Sequence, residues 1–537
     1  MTMMTGGEAL VAGLAAHDVD TVFGIPGTHN LSAYAALAKH GITHVSPRHE
    51  QGAGYAADGY ARSTGRPGVV LTTTGPAILN AIAAAAQAYS DSVPVLFISP
   101  GMPLAHPGRG NGLLHEVKDQ GASLRAVVAE SHRVTRVEEI PLAVAQAFAQ
   151  MGTGRPRPVH LEIPLDLLDA TAEVSIVPPI RVGLLVANPS VIEAAAQQLS
   201  TAQRPVILVG GGASRAAAQV TLVAEALGAP VVATTNGKGI LAEDHPLAIG
   251  AGVQHPSVVA LVADSDCVLA IGTELAPSDW WIGLPDLTGK LVRIDVDAVS
   301  IATNAIPDIA VVSDAAAALD ALLPCLEPAS DDGSERAAAW RLRFQADARI
   351  EGEPWLAIVA ALAESLPREA IIAADSAMAC YYGALSNLPL NRPNAFLYPT
   401  GVGTLGYALP AGIGAKVADA EAPVVVMEGD GGAMFTIAEL AAAAELRIAL
   451  PVIIIDNGGY GEIRNEMVDR GEPAHAVALG RPDFAALAES LGCYGIRIDS
   501  PDELSAAVRT ALSADRPTVL HVIESSRAAE AMRPRRS

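Results

Sequence analysis

The chain has 537 residues, of which 50% are hydrophobic and 17% charged. That is enough apolar material for several buried cores and argues against disorder. A net charge of −23 argues against nucleic acid and anionic membranes as partners. Cys267, Cys325, Cys380 and Cys493 have no metal-ligand spacing and read as free thiols of a reducing compartment.

The opening stretch, MTMMTGGEALVAGLAAHDVD, lacks a basic n-region and spaces its apolar residues for a helix. It reads as a first helix and not as a signal peptide. No apolar run reaches about 18 residues without charge, Pro or Gly, so no membrane span is expected and the protein is expected in the cytoplasm. Short β-branched runs then alternate with Ala-rich helical stretches. TVFGIP, GVVLTT, VPVLFIS and PVHLEIP come first, then RPVILVGGG, CVLAIGT and KLVRIDVD, then AIIAADS, APVVVMEGD, LPVIIIDN and PTVLHVIE. This alternation predicts an α/β fold of doubly wound parallel sheets with helices on both faces. Two turn-rich stretches, 171–190 and 326–340, divide the chain into 1–172, 188–326 and 340–537. The first and third segments share a plan of helix, strand, Gly-containing turn and small-residue helix.

In HVSPRHEQGAGYAADGYAR (44–62), Glu50 heads a helix of small residues. Such a carboxylate is either a helix cap or a reagent, and this stretch by itself favours the cap. In VVVMEGDGGAMFTIAEL (424–440), a buried strand runs into Gly429-Asp430-Gly431-Gly432 and an amphipathic helix. Strand, Gly-rich turn and helix offer N–H groups to a phosphate, and a divalent cation would reconcile Asp430 with that anion. LPVIIIDNGGYGEI (450–463) brings a second strand end, with Asp456-Asn457-Gly458-Gly459, to the same edge of a parallel sheet. Gly-Asp-Gly, 24 residues, then Asp-Asn-Gly-Gly is a specific pattern.

This pattern resembles the diphosphate motif of thiamine diphosphate (ThDP) enzymes, and the whole chain resembles their pyruvate oxidase, acetolactate synthase and benzoylformate decarboxylase group. The resemblance implies a ThDP-binding fold: a pyrimidine-binding domain at 1–172, a Rossmann-like central domain at 188–326 and a diphosphate- and Mg²⁺-binding domain at 340–537. It implies Asp430, Asn457 and the Gly459 carbonyl as metal ligands, with Gly429, Gly431, Gly432, Tyr460 and Gly461 beside the cofactor. Asp456 departs from the family, which has Asn there; the second Asn of the pair, which carries the metal, is present. PTGVGTLGYALPAGIGA (399–415) resembles the segment that bends the cofactor, with Leu405 as the apolar wedge and the Gly403 carbonyl accepting from the 4′-amino group. ADSAMAC (374–380) resembles the diphosphate-contacting segment, with backbone contacts expected from Ala377 and Met378. The resemblance further implies Pro26 and Asn80 as cofactor contacts. Glu50 takes the place of the glutamate that bonds N1′ of the aminopyrimidine and promotes loss of the thiazolium C2 proton. That role needs a desolvated carboxyl of raised pKa, and it outweighs the cap.

In this family the glutamate and the metal site come from different subunits, so the resemblance implies at least a homodimer, with a homotetramer expected. FAD is not expected, although RPVILVGGGAS (204–214) is where some relatives bind it. The substrate implied is a small 2-oxo acid. Decarboxylation leaves a carbanion that is protonated in a decarboxylase or joined to a second carbonyl in a carboligase; a catalytically dead ThDP-fold subunit is the third reading, against which Glu50, Asp430 and Asn457 argue. Candidate catalytic residues beside Glu50 are His29, His115 and Gln120, the histidines as proton shuttles. Thr28, Glu462, Ile463 and Glu466 are candidates for the substrate pocket. VFGIPGTHNL, SPRHEQGAGYAADGYAR, GNGLLHEVKDQ, RPRPVHLEIPLDLL and DNGGYGEIRNEM resemble the subgroup of 5-guanidino-2-oxopentanoate (2-ketoarginine) decarboxylases. A carboxylate at Glu462 suits a guanidinium.

Overall fold

The computed structural model describes residues 1–524. Contacts group the chain into two compact units: 1–183 with 401–421 and 436–448, and 184–400 with 422–435 and the stretch from 449 on.

The first unit holds a six-stranded parallel sheet. Its spatial order is Thr43–Val45, Thr21–Gly24, Gly68–Leu71, Val95–Gly101, Val159–Pro164 and Glu130–Arg133. Numbered along the chain, that is 2-1-3-4-6-5. The chain does not begin directly with a helix: Thr2–Thr5 is a strand paired antiparallel with Thr171–Val174, inside the stretch that reads as a linker. Thr5 and Glu8 then form a capping box at the head of the first helix, Gly6–Ala16.

The small residues after Glu50 have a packing reason. Helix Glu50–Thr64 lies against helix Ala408–Ala418 at backbone distance: a Cβ on Gly59 would come within 2.1 Å of the Ala411 carbonyl oxygen, and one on Gly414 within 1.9 Å of that of Ala56. Only glycine permits that approach. Buried polar groups fix the crossing. Asp58 accepts from the Tyr407 hydroxyl at 2.6 Å and from Arg62 Nε at 2.8 Å, and Arg62 also pairs with Asp91 at 2.8 Å.

The second unit holds two six-stranded parallel sheets. The central one is ordered Ala248–Ala251, Val231–Ala233, Pro205–Val209, Cys267–Ile271, Leu291–Asp295 and Ile309–Val312, or 3-2-1-4-5-6, the Rossmann order. Its Gly-rich turn closes on the neighbouring strand end, where the Gly212 N–H donates to the Gly272 carbonyl at 3.0 Å. The other sheet is ordered Phe396–Leu397, Ile371–Ala374, Val424–Gly429, Pro451–Asp456, Thr518–Ile523 and Tyr494–Ile498. It repeats the 2-1-3-4-6-5 order of the first unit, so the shared plan is a shared topology. Strand order reverses between Ile371–Ala374 and Val424–Gly429, the place where open parallel sheets bind ligands.

Candidate active site

In the first unit, Glu50 is half-buried and is the first residue of its helix. It is not the cap. His49 is, its ring Nδ1 accepting from the Gln51 N–H at 3.1 Å. The Glu50 carboxylate instead accepts from the side-chain amide of Asn80 at 3.0 Å. Asn80 therefore touches Glu50 itself.

The loop that carries Pro26, Thr28 and His29 is pinned by buried Asn30, which accepts from the Gly27 N–H at 2.8 Å and donates to the Ile25 and Thr72 carbonyls. Pro26 and Thr28 are exposed. His29 Nδ1 lies 2.8 Å from the Thr74 hydroxyl, and its ring meets that of His115 edge-on at 5.2 Å. The two histidines are thus brought together. Burial lowers the His29 pKa and the neighbouring His115 lowers it further, both favouring the neutral ring. His115 has a left-handed backbone (φ 64°) and a buried Nδ1 with no hydrogen-bond partner. Gln120 is buried and committed: it accepts from the Gly75 N–H at 2.8 Å and donates to Ser99 Oγ and the Pro100 carbonyl at 2.9 Å each. Its side chain fixes the turn at Gly75, where a Cβ would strike the His115 carbonyl oxygen at 2.1 Å. Gly403 (φ 67°) is exposed and Leu405 half-buried, in a loop that Gln87 holds through Thr404.

In the second unit, strand Val424–Gly429 passes straight into helix Asp430–Thr436, so Gly431 and Gly432 lie in the helix's first turn and not in a separate loop. Asp430 Oδ1 accepts from the Asn457 N–H at 3.3 Å, which joins the two strand ends. Asn457 Oδ1 is buried with no hydrogen-bond partner. Gly459 (φ 140°) turns the chain so that its carbonyl oxygen lies 3.7 Å from where a Gly431 Cβ would sit. An orphaned amide oxygen, a carboxylate and a carbonyl suit a hard divalent cation. Burial, with Asp456 adding like charge, pushes the Asp430 pKa up, and a bound cation would reverse that shift. Asp456 itself is spent elsewhere. It accepts from the Gly458 N–H at 2.9 Å, pairs with Arg481 at 3.3 Å and lies 3.2 Å from His521. Tyr460 lies over Gly431, and the Met378 sulfur packs against Gly461. The Ala377 N–H already donates to the Asp375 carbonyl at 2.7 Å.

Beyond Gly461, Glu462 is half-buried and accepts from the Tyr382 hydroxyl at 2.9 Å. Tyr381 and Tyr382 sit on a π-helical stretch, Ala379–Ala384, a feature frequent at functional sites. Their rings meet at 4.5 Å, and Trp281 meets both edge-on at 6.2 and 5.7 Å. Trp281, Tyr381, Phe396 and Tyr398 line one pocket. A second acid lies near: burial pushes Glu351 up to about 7, Gln254 opposes this by hydrogen bonding, and Asp347 and Glu462 add to it as like charges. Ile463 and Glu466 are exposed, and Glu466 pairs with Arg470 at 3.4 Å.

Three family models match this chain. The N-terminal TPP binding domain of thiamine pyrophosphate enzymes matches residues 4–123, their central domain 192–322 and their C-terminal TPP binding domain 377–522. A protein of Pseudomonas aeruginosa named "Probable 2-ketoarginine decarboxylase AruI" is 40% identical over 97% of this chain and 94% of its own length. The chain belongs to the thiamine pyrophosphate enzyme family. A "Probable acetolactate synthase large subunit" of Methanocaldococcus jannaschii is 33% identical over 97% of this chain and 92% of its own. The "Acetolactate synthase isozyme 3 large subunit" of Escherichia coli K12 is 33% identical over 95% and 93%.

As a thiamine pyrophosphate enzyme, the chain carries Glu50 and the histidine pair within the N-terminal match, and Asp430, Asn457 and Glu462 within the C-terminal match. Sequence reasoning missed Asn30, Tyr382 and Glu439, a buried carboxylate that accepts from the Arg48 and His49 N–H groups. Asn30 has a local signal, since an Asn after a Gly-containing turn commonly bonds nearby backbone. The other two meet their partners only through the fold. Among the described residues, no helix is long and apolar enough to cross a membrane.

Proposed function

We propose that this protein is a ThDP- and Mg²⁺-dependent non-oxidative decarboxylase of a 2-oxo acid with a cationic tail. The observation that carries the reading is the presence, in one chain, of a half-buried Glu50 aimed by Asn80 and of a metal-type donor set at Asp430 and Asn457, the chain being 40% identical to a protein named "Probable 2-ketoarginine decarboxylase AruI". Bound ThDP supplies the nucleophilic carbon and the electron sink for loss of CO₂. Asp430, Asn457 and the Gly459 carbonyl would hold Mg²⁺, and the backbone from Gly429 to Gly432 would lie along the diphosphate. Met378, Tyr460 and Gly461 would border the cofactor, while Gly403 and Leu405 would contact its rings. Glu50 would share a proton with N1′ of the aminopyrimidine. His29 and His115 would move protons at the substrate, with Gln120 fixing the Gly75 turn that lies against His115. Thr28, Glu462 and Ile463 would form the substrate's walls.

The cationic tail is supported by Glu462 beside the Trp281, Tyr381 and Tyr382 rings. Aromatic faces and carboxylates are the surfaces a guanidinium prefers, and a bound cation would relieve the crowding of Glu351, Asp347 and Glu462. We further assign a cytoplasmic homodimer or homotetramer with sites between subunits, and domain boundaries at 1–172, 188–326 and 340–537. A panel of 2-oxo acids, incubated with ThDP and Mg²⁺ and followed by CO₂ release and product identification, tests the reading. An aldehyde from the cationic acid is the expected product. Acetolactate from pyruvate, or a yellow protein carrying FAD, would favour the carboligase that the acetolactate synthase relatives suggest.

A further inference from the structure

The helix that Glu50 heads has a cap, His49, but lacks the returning half of a capping box. In a capping box, a Glu or Gln three residues after the cap sends its side chain back to the cap's backbone N–H. Helix Gly6–Ala16 does this with Thr5 and Glu8, the Glu8 carboxylate accepting from the Thr5 N–H at 3.0 Å. In the Glu50 helix the cap is His49, and the third position after it is Gly52.

Glu439 fills that place. It is the first residue of helix Glu439–Leu446 and is 1% exposed. Its Oε1 accepts from the His49 N–H at 3.0 Å, and both of its oxygens accept from the Arg48 N–H at 3.0 Å. A Cβ built on Gly52 would come within 2.3 Å of Glu439 Oε1, and its three nearest neighbours would all be Glu439 atoms. The carboxylate thus occupies the volume that a side chain at the third helical position would fill.

We propose that Glu439 is a positioning residue for Glu50: it supplies, from far along the chain, the carboxylate that closes the capping box of the Glu50 helix and so fixes the backbone from which Glu50 reaches the cofactor. This rests on the reading of Glu50 given above. The first helical residue is the first to lose its geometry when a helix end frays, and small displacements of a catalytic group are costly. The groups around Glu439 fit an anchoring carboxylate. Burial pushes it up to about 7, the backbone N–H groups of Arg48 and His49 and the Arg48 charge pull it down, and Glu50 adds like charge. The Arg48 guanidinium itself pairs with Glu445, on the same helix as Glu439.

The test uses Glu439→Ala and the double variant Gly52→Glu/Glu439→Ala, which moves the carboxylate to the third helical position. In cofactor-free protein, amide hydrogen exchange at Arg48 and His49 should speed up about tenfold in the single variant and return close to wild type in the double, a size set by the usual worth of a cap. With ThDP and Mg²⁺ bound, C2–H exchange of the cofactor should fall about tenfold in the single variant and recover in the double. Unchanged amide exchange in folded Glu439→Ala overturns the cap. A double variant that recovers amide protection but not C2–H exchange overturns the positioning role. Wild-type C2–H exchange in Glu50→Gln removes the reading of Glu50, and the positioning role with it, while the amide result still decides the cap. If Glu439→Ala does not fold, Glu439→Gln replaces it, with a smaller acceleration of the same two amides expected and an unchanged rate again fatal.

Discussion

Asn80 donates its side-chain amide to Glu50 at 3.0 Å, so the carboxyl at the head of the small-residue helix is aimed by a neighbouring helix and not by its own. Asn80 ends helix Pro76–Asn80, which begins beside Gly75, the turn that Gln120 fixes. The helix that aims Glu50 thus starts at the turn that Gln120 holds.

Replacing Asn80 with Ala should slow C2–H exchange of bound ThDP by about tenfold, the scale of one hydrogen bond to a charged group. Asn80 is exposed, so the melting temperature should move by no more than about 2 °C. An unchanged exchange rate in the variant would show that Asn80 does not aim Glu50.

The runs legible in the sequence are the ones buried on both faces. All eleven apolar stretches singled out there are strands of the three parallel sheets. The strands it does not reveal lie mostly at sheet edges, such as Glu130–Arg133 (ESHR) and Phe396–Leu397. An edge strand pairs on one side only and can be short or polar. The exception, Val231–Ala233, is interior but only three residues long. At the site, the residue types and their spacing carry Asp430, Asn457 and Glu50. They do not carry Asn80's hold on Glu50, Tyr382's on Glu462 or the cap from Glu439, which join positions up to 391 residues apart.

Asn457→Ala should weaken Mg²⁺ binding by about 100-fold, measured by titrating Mg²⁺ into protein with ThDP present; losing even an outer-shell partner costs 10- to 100-fold. Asp456→Asn should leave Mg²⁺ affinity within a few-fold, because Asp456 is engaged with Gly458, Arg481 and His521. Chelating the metal from wild type at saturating ThDP should lower the melting temperature by several degrees, as expected when about 2–3 kcal/mol of binding energy is withdrawn. If Asp456→Asn abolished binding while Asn457→Ala spared it, the donor set would have to be redrawn.

Glu351 makes a prediction about pH. Its pKa rises on folding to about 7, mainly through burial. The folded state therefore holds a proton that the unfolded state releases above its ordinary carboxylate pKa. The stabilisation tied to that proton is complete in acid and is lost as pH rises from about 4.5 through 7. Glu351→Gln removes this loss. In urea denaturation the variant should match wild type near pH 4 and exceed it by about 1–3 kcal/mol at pH 8. Parallel curves across the whole range would show that Glu351 is not the group concerned.

Glu462→Ala tests the substrate's charge. Glu462 directly follows Gly461 and accepts from Tyr382, so it stands between the loop proposed to hold the metal and the aromatic cluster. A guanidinium there gains a charge-assisted pair that a neutral chain does not. The variant should raise KM for 5-guanidino-2-oxopentanoate by about 10- to 100-fold, the scale of a hydrogen-bonded charge pair, and change KM for 2-oxohexanoate by less than about twofold. Tyr382→Phe removes only the hydroxyl that orients Glu462, so its effect should have the same selectivity and be smaller. The kcat values for 2-oxohexanoate should stay near wild type in both variants, because neither side chain touches the groups assigned to proton transfer. An equal rise in KM for both acids would mean that Glu462 shapes the pocket without reading charge.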